Sequence, residues 1–160
     1  MGFFKSTTPQ PAEVSKQTIQ FCTYAIAAVA LAEILGCGLE MLQQLIHAHN
    51  SGLGVFRFAT ISALFWIAAK HGLIVLGAAL LGFFINKRMR DAAVAAQGFC
   101  LARVLMLVIP AMDAVYSALD GAAQVLLAMS NVLELAVSVA ALAALFLLVR
   151  RWPAAAKPVA

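Results

Sequence analysis

Four long apolar segments alternate with short polar connectors along the 160 residues of the chain. The connectors contain glycine, asparagine and charged residues, which favour turns. Each segment is longer than the roughly 20 apolar residues that an α-helix needs to cross a bilayer. We therefore predict an all-α integral membrane protein, a four-helix bundle with up-down-up-down topology. The predicted spans cover residues 17–46, 55–85, 92–119 and 122–149.

One charged residue interrupts each apolar segment near its middle. A charge near the bilayer centre costs roughly 2.5–3.5 kcal/mol, so such residues either pair with one another or mark a functional site. Two of the four are acidic and two are basic. We therefore predict a central charge network of two ion pairs, which would fix the register of neighbouring helices. The predicted pairs are Glu33 with Lys70 and Arg103 with Glu134.

The first segment carries a polar stripe that begins at Glu33. Its members follow at steps of four and three residues, which places them on one face of a helix. Gly36 and Gly38 flank this face and would let another backbone approach closely. We therefore predict a bundle with one closed apolar half and one polar half. The stripe consists of Cys37, Glu40, Gln44 and His47, and Asp113 of the third segment is expected near it.

The composition indicates that lipid is the solvent for much of the chain. Hydrophobic residues make up 64% of it and charged residues only 11%, whereas about 25% of the residues of a soluble domain are charged. The net charge of +4 does not indicate nucleic acid, because the basic residues lie at segment ends. Eight of them fall on the side of the two termini, and only Arg57 falls opposite. We therefore predict that both termini are cytoplasmic.

The remaining features refine this location. The alanine- and leucine-rich composition favours a bacterial inner membrane. Residues 1–16 are expected to form a polar cytoplasmic segment, and residues 150–160 a disordered cytoplasmic tail. Trp152 would then lie at the membrane interface, where tryptophan is enriched.

The sequence offers little for catalysis or cofactor binding. Cys22, Cys37 and Cys100 lie inside apolar segments and form no ligand pattern. A haem between helices needs two axial ligands at one depth, but His71 lies in mid-segment and the His47–His49 pair at a segment end. That pair is better explained as part of a solvated loop than as a metal site. We therefore predict no enzymatic activity, no cofactor and no metal site.

Three functions are compatible with this pattern. The leading hypothesis is a structural or assembly subunit of a membrane complex, with the lipid bilayer and either another membrane protein or a second copy as partners, and no nucleic acid. The second is a proton- or cation-coupled transport component, whose acids would be Glu33, Glu40, Asp113 and Glu134. The third is a quinone- or haem-associated redox subunit that uses His71.

Overall fold

A computed structural model describes residues 15–52, 57–119 and 125–152. These residues form four α-helices and no strand. All four helices are long and apolar enough to cross a membrane, which confirms the predicted all-α class and the four long apolar helices. They are α1 (Lys16–Asn50), α2 (Phe58–Asn86), α3 (Arg90–Leu119) and α4 (Val125–Val149).

Both ends of α1 have a local chemical cause. At its start the Ser15 hydroxyl accepts a hydrogen bond from the Gln17 N–H, as an N-cap side chain does. At its end Gly52 takes a positive φ of 65°, and its N–H donates to the carbonyl of His49. The helix therefore runs four residues beyond the predicted end, and His47 lies on its last turn. The predicted turn at 120–121, residues 1–14 and residues 153–160 lie outside the described residues.

The helices pack unequally around the bundle. α1 packs closely against α2 and α4, and α3 packs closely against α4. Contacts between α2 and α3 are much fewer. As a result, α2 and α3 are held mainly through α1 and α4, which form the middle of the bundle.

The apolar core occupies one end of the bundle. It is built from the first halves of α1 and α3 and the second halves of α2 and α4. Ile26, Ile85 and Leu145 are almost completely buried there. Alanines and the buried Cys22 and Cys100 surround them, and such small residues let helices approach closely.

Trp152 closes this apolar end of the bundle, and its predicted depth at the membrane interface stays a prediction. Only 5% of the residue is exposed, and it packs against the apolar core. After α4 the chain turns, and the Trp152 N–H donates to the carbonyl of Val149. The large indole therefore helps to fill the core at this end.

The outer surface of the bundle is apolar on every helix. Leu31, Phe65, Leu105 and Leu147 are among the large hydrophobic side chains that point outward, each with more than 45% of its surface exposed. A soluble monomer rarely exposes apolar surface on this scale. Apolar helices of this length suggest a lipid bilayer as their environment.

Candidate functional site

Five ionisable side chains meet inside the bundle beyond the apolar core. We call them the charge cluster: Glu33 and Glu40 of α1, His71 of α2, Arg103 of α3 and Glu134 of α4. Each residue is at most 9% exposed. A buried charge is tolerated only when it is paired and hydrogen-bonded, so the contacts among these five residues determine whether the bundle is stable.

Arg103 joins three helices through a single nitrogen. Its Nη2 donates to Oε2 of Glu134 at 2.8 Å and contacts Oε1 of Glu33. The predicted pair between Arg103 and Glu134 is therefore present, and Glu33 is added to it. In this way α3 is tied to both α1 and α4 by charge-assisted contacts, which are among the strongest polar contacts in proteins.

His71 lies between carboxylates of α1 and α4. Its Nδ1 is 2.8 Å from Oε2 of Glu33 and 3.8 Å from Oε1 of Glu134. Its Nε2 is 3.4 Å from Oε2 of Glu40. Both ring nitrogens thus face carboxylates, and the His47 and His49 residues are exposed at the far end of α1. This arrangement does not favour a haem held by two facing histidines.

Lys70 lies at the edge of the charge cluster, and the predicted Glu33–Lys70 pair is wrong. The Lys70 ammonium donates to both carboxylate oxygens of Glu40 at 2.8 Å, and 53% of its side chain is exposed. Successive helical residues point about 100° apart, so only one of Lys70 and His71 can face the interior of the bundle. The residue that faces the interior is His71.

Sequence reasoning left His71 out of the charge network, although one signal was present. The buried face of α2 contains Thr60, His71, Ala78 and Ile85. The last three are spaced by seven residues, a spacing that keeps them on one helix face. The parallel series through Lys70 has the same spacing, and the sequence of α2 alone does not distinguish the two.

The Glu134 carboxylate is positioned by a hydrogen bond within α4 and by the space that Gly36 leaves on α1. The hydroxyl of Ser130, one turn earlier, donates to its Oε1 at 3.1 Å. On the other side, a Cβ placed on Gly36 would overlap Oε1 of Glu134 and lie 2.9 Å from its Cδ. Gly36 therefore leaves room for side chains of α4, whereas the sequence predicted the close approach of another backbone. At Gly38, nothing lies within 4 Å of the equivalent position.

The predicted polar stripe of α1 leaves the interior as it continues. Glu40 is buried in the charge cluster, Cys37 and Gln44 are half-buried, and His47 is exposed. Asp113 of α3 is also exposed, so it does not join the stripe or the charge cluster. The polar stripe of α1 is therefore buried over a shorter stretch than predicted and leaves the interior beyond Glu40.

The charge cluster also contains a set of potential metal ligands. Glu33, His71 and Glu134 each offer one ligand atom, and these atoms all lie within 4.8 Å of one another. Two carboxylates and one imidazole form a common donor set for transition metals. The sequence predicted no metal site, because these residues come from three different helices and show no spacing pattern.

Comparison with known proteins adds no relative. No family model matches the chain, and no curated protein or solved structure matches it either. The charge cluster is therefore interpreted from its own chemistry.

Proposed function

We propose that this chain is a non-enzymatic structural or assembly subunit of a bacterial inner-membrane complex. It would cross the membrane four times in up-down-up-down order, with both termini in the cytoplasm. The apolar outer surface and the length of the four helices support membrane insertion. The excess of basic residues on the side of the termini supports the orientation.

Contacts between sequential helices support the alternating order. On α1 and α2, Ile26 lies beside Gly82 and Glu40 binds Lys70, so residue numbers rise along one helix as they fall along the other. α3 and α4 follow the same rule. The contacts there are Gln97 with the carbonyl of Leu145 and Arg103 with Glu134.

One observation carries the structural role: a single charge cluster touches all four helices. His71 of α2 and Arg103 of α3 both bind Glu33, although α2 and α3 themselves make few contacts. Without a hydrophobic force between helices in lipid, polar contacts and packing decide which helices associate. The charge cluster is therefore well placed to fix the arrangement of the bundle.

The closed end of the bundle favours a subunit over a conduit. A path for protons or cations across the membrane would have to continue from the charge cluster to the opposite end. Ile26, Ile85, Leu145 and Trp152 fill that end and are all buried. The charge cluster is thus closed off from the apolar end of the bundle and reaches the outer surface at Lys70.

Lys70 supports an assembly role because it places a charge on an apolar surface. It lies in the middle of α2, and more than half of its side chain is exposed. Charged residues in membrane spans usually face a bundle interior or a neighbouring helix. We propose that the Lys70–Glu40 pair contacts a helix of another subunit or of a second copy.

Lys70→Gln tests this contact. We expect the variant to fold, because a glutamine amide at position 70 can still donate a hydrogen bond to the buried Glu40 carboxylate. We also expect it to lose the higher-mass species that the wild type forms on native gels after mild detergent extraction. Lys87→Gln, at the exposed end of α2, is the matched control and should keep that species. A monomeric wild type, or an unchanged assembly of the Lys70→Gln variant, would contradict the proposal.

The orientation predicts which sites are reachable from outside the cell. We expect a cysteine introduced at Lys87 or Arg151 to resist a membrane-impermeant thiol reagent in intact spheroplasts and to react after lysis. A cysteine introduced at Ser51 should react in intact spheroplasts. The experiment uses a background without Cys22, Cys37 and Cys100. The reverse pattern of labelling would show that the termini face outward.

A further inference from the structure

We propose that Glu33, His71 and Glu134 form a binding site for one divalent transition-metal ion. His71 Nδ1 lies 2.8 Å from Oε2 of Glu33 and 3.8 Å from Oε1 of Glu134. A tetrahedral ion with ligand bonds of about 2 Å holds its ligands about 3.3 Å apart. The observed separations lie on either side of this value, so small side-chain movements would complete the site.

The donor atoms select the class of metal. One imidazole nitrogen and two carboxylate oxygens suit Zn²⁺, Co²⁺, Mn²⁺ or Fe²⁺. Ca²⁺ and Mg²⁺ prefer oxygen ligands alone, and Cu⁺ prefers sulfur. The three ligands are at most 2% exposed, so the ion would be held away from bulk water.

The surroundings of the three ligands have the organisation of a metal site. A metal-bound histidine usually presents its second nitrogen to a carboxylate. Nε2 of His71 is buried without a hydrogen bond and lies 3.4 Å from Oε2 of Glu40, so a small movement would form that bond. Arg103 contacts Oε1 of Glu33 and Oε2 of Glu134, which are the oxygens that the proposed ion would not use. The Ser130 hydroxyl donates to Oε1 of Glu134, the ligand oxygen of that residue, and so orients its carboxylate. Glu33 and Glu134 are therefore oriented by neighbours outside the site.

The charge balance also has a place for a cation. Lys70 balances Glu40 at the edge of the charge cluster. Arg103 and the imidazole of His71 then face two buried carboxylates, Glu33 and Glu134. A divalent ion beside His71 would supply the additional positive charge that a pair of buried carboxylates requires.

Co²⁺ titration of the purified full-length chain tests the site. The protein is prepared without a polyhistidine tag, reconstituted in nanodiscs and treated with a chelator. Its background carries His47→Asn and His49→Asn, which removes the exposed histidines at the end of α1. We expect one Co²⁺ per chain and the intense visible absorption of a low-coordinate Co²⁺ ion. Absence of this absorption in the background protein would overturn the proposal.

Three variants locate the ion. His71→Asn should weaken Co²⁺ binding more than 100-fold, and Glu40→Gln by about 10–100-fold, because it only orients the imidazole. His71→Cys should keep the ion and add a sulfur-to-cobalt charge-transfer band, a gain of signal that an unfolded variant does not give. If His71→Asn binds Co²⁺ as the background does, or His71→Cys folds and gives no such band, the site is wrong. Native-gel assembly is measured separately, so failure of the metal site and failure of the subunit role can be told apart.

Discussion

Arg103→Leu is expected to abolish most of the folded protein. The substitution leaves Glu33 and Glu134 facing each other inside the bundle, each at most 2% exposed and without their shared cation. Breaking a buried ion pair by removing one partner costs about 3–5 kcal/mol. The total stability of a small domain is only about 5–15 kcal/mol. We therefore expect a large fall in the fraction of monodisperse protein after detergent extraction and a lower unfolding temperature of what remains.

The same substitution should make insertion of α3 easier. Arginine at a helix centre costs roughly 2.5–3.5 kcal/mol on the insertion scale, and leucine contributes about 0.3–0.6 kcal/mol in the favourable direction. Insertion of the isolated segment should therefore improve by about 3–4 kcal/mol. A glycosylation-based insertion assay measures this step separately from folding. If insertion of α3 improves while folding is lost, the contacts of Arg103 in the folded bundle outweigh its cost during insertion.

Two further variants complete this test. Arg90→Leu makes the same chemical change at the exposed start of α3 and should leave folding unchanged. Adding Glu33→Gln and Glu134→Gln to Arg103→Leu should recover much of the loss, because no unpaired carboxylate then remains next to the substituted position. Wild-type stability of Arg103→Leu alone would contradict the structural role of the charge cluster.

The sequence was sufficient to predict the helices but not which side of each helix faces inward. The number of helices follows from the number of long apolar segments. In lipid, the backbone N–H and C=O groups of such a segment can form hydrogen bonds only with one another, which favours an α-helix. Which side of a helix faces inward is harder to predict, because the outward-facing side of α2 is as apolar as its buried side. The choice between Lys70 and His71 is made by Glu33 and Glu40 on α1. Which of the two residues faces inward therefore depends on contacts between α1 and α2 and cannot be predicted from the sequence pattern of α2.

The stripe on α1 shows where a repeat stops being informative. Glu33 and Glu40 are seven residues apart, and both are buried as the spacing predicts. A straight helix drifts by about 20° for every seven residues, so His47 has turned by about twice that angle from Glu33. It also lies on the last turn of α1, beyond the charge cluster, and is exposed. Ile19 and Ile26 continue the same spacing toward the start of α1 and are buried as well, so the exposure of His47 follows mainly from its place at the end of the helix.

Gly36→Ala should destabilise the bundle, whereas Gly38→Ala should not. The new Cβ at position 36 would overlap Oε1 of Glu134 and lie 2.9 Å from the hydroxyl oxygen of Ser130. Overpacking of this kind costs typically about 1–3 kcal/mol. Alanine at position 38 meets nothing within 4 Å. Unfolding in mild detergent, followed by circular dichroism, measures both variants.

The comparison of the two glycine variants isolates the contact between α1 and α4. Alanine improves helix propensity over glycine by about 0.8–1.0 kcal/mol at either position, so this gain cancels in the difference. What remains is the cost of moving the Glu134 carboxylate away from the α1 backbone. Because Oε1 of Glu134 is also a proposed metal ligand, Gly36→Ala should weaken Co²⁺ binding as well, and Gly38→Ala should not. Equal behaviour of the two variants would mean that Glu134 does not approach α1 at Gly36.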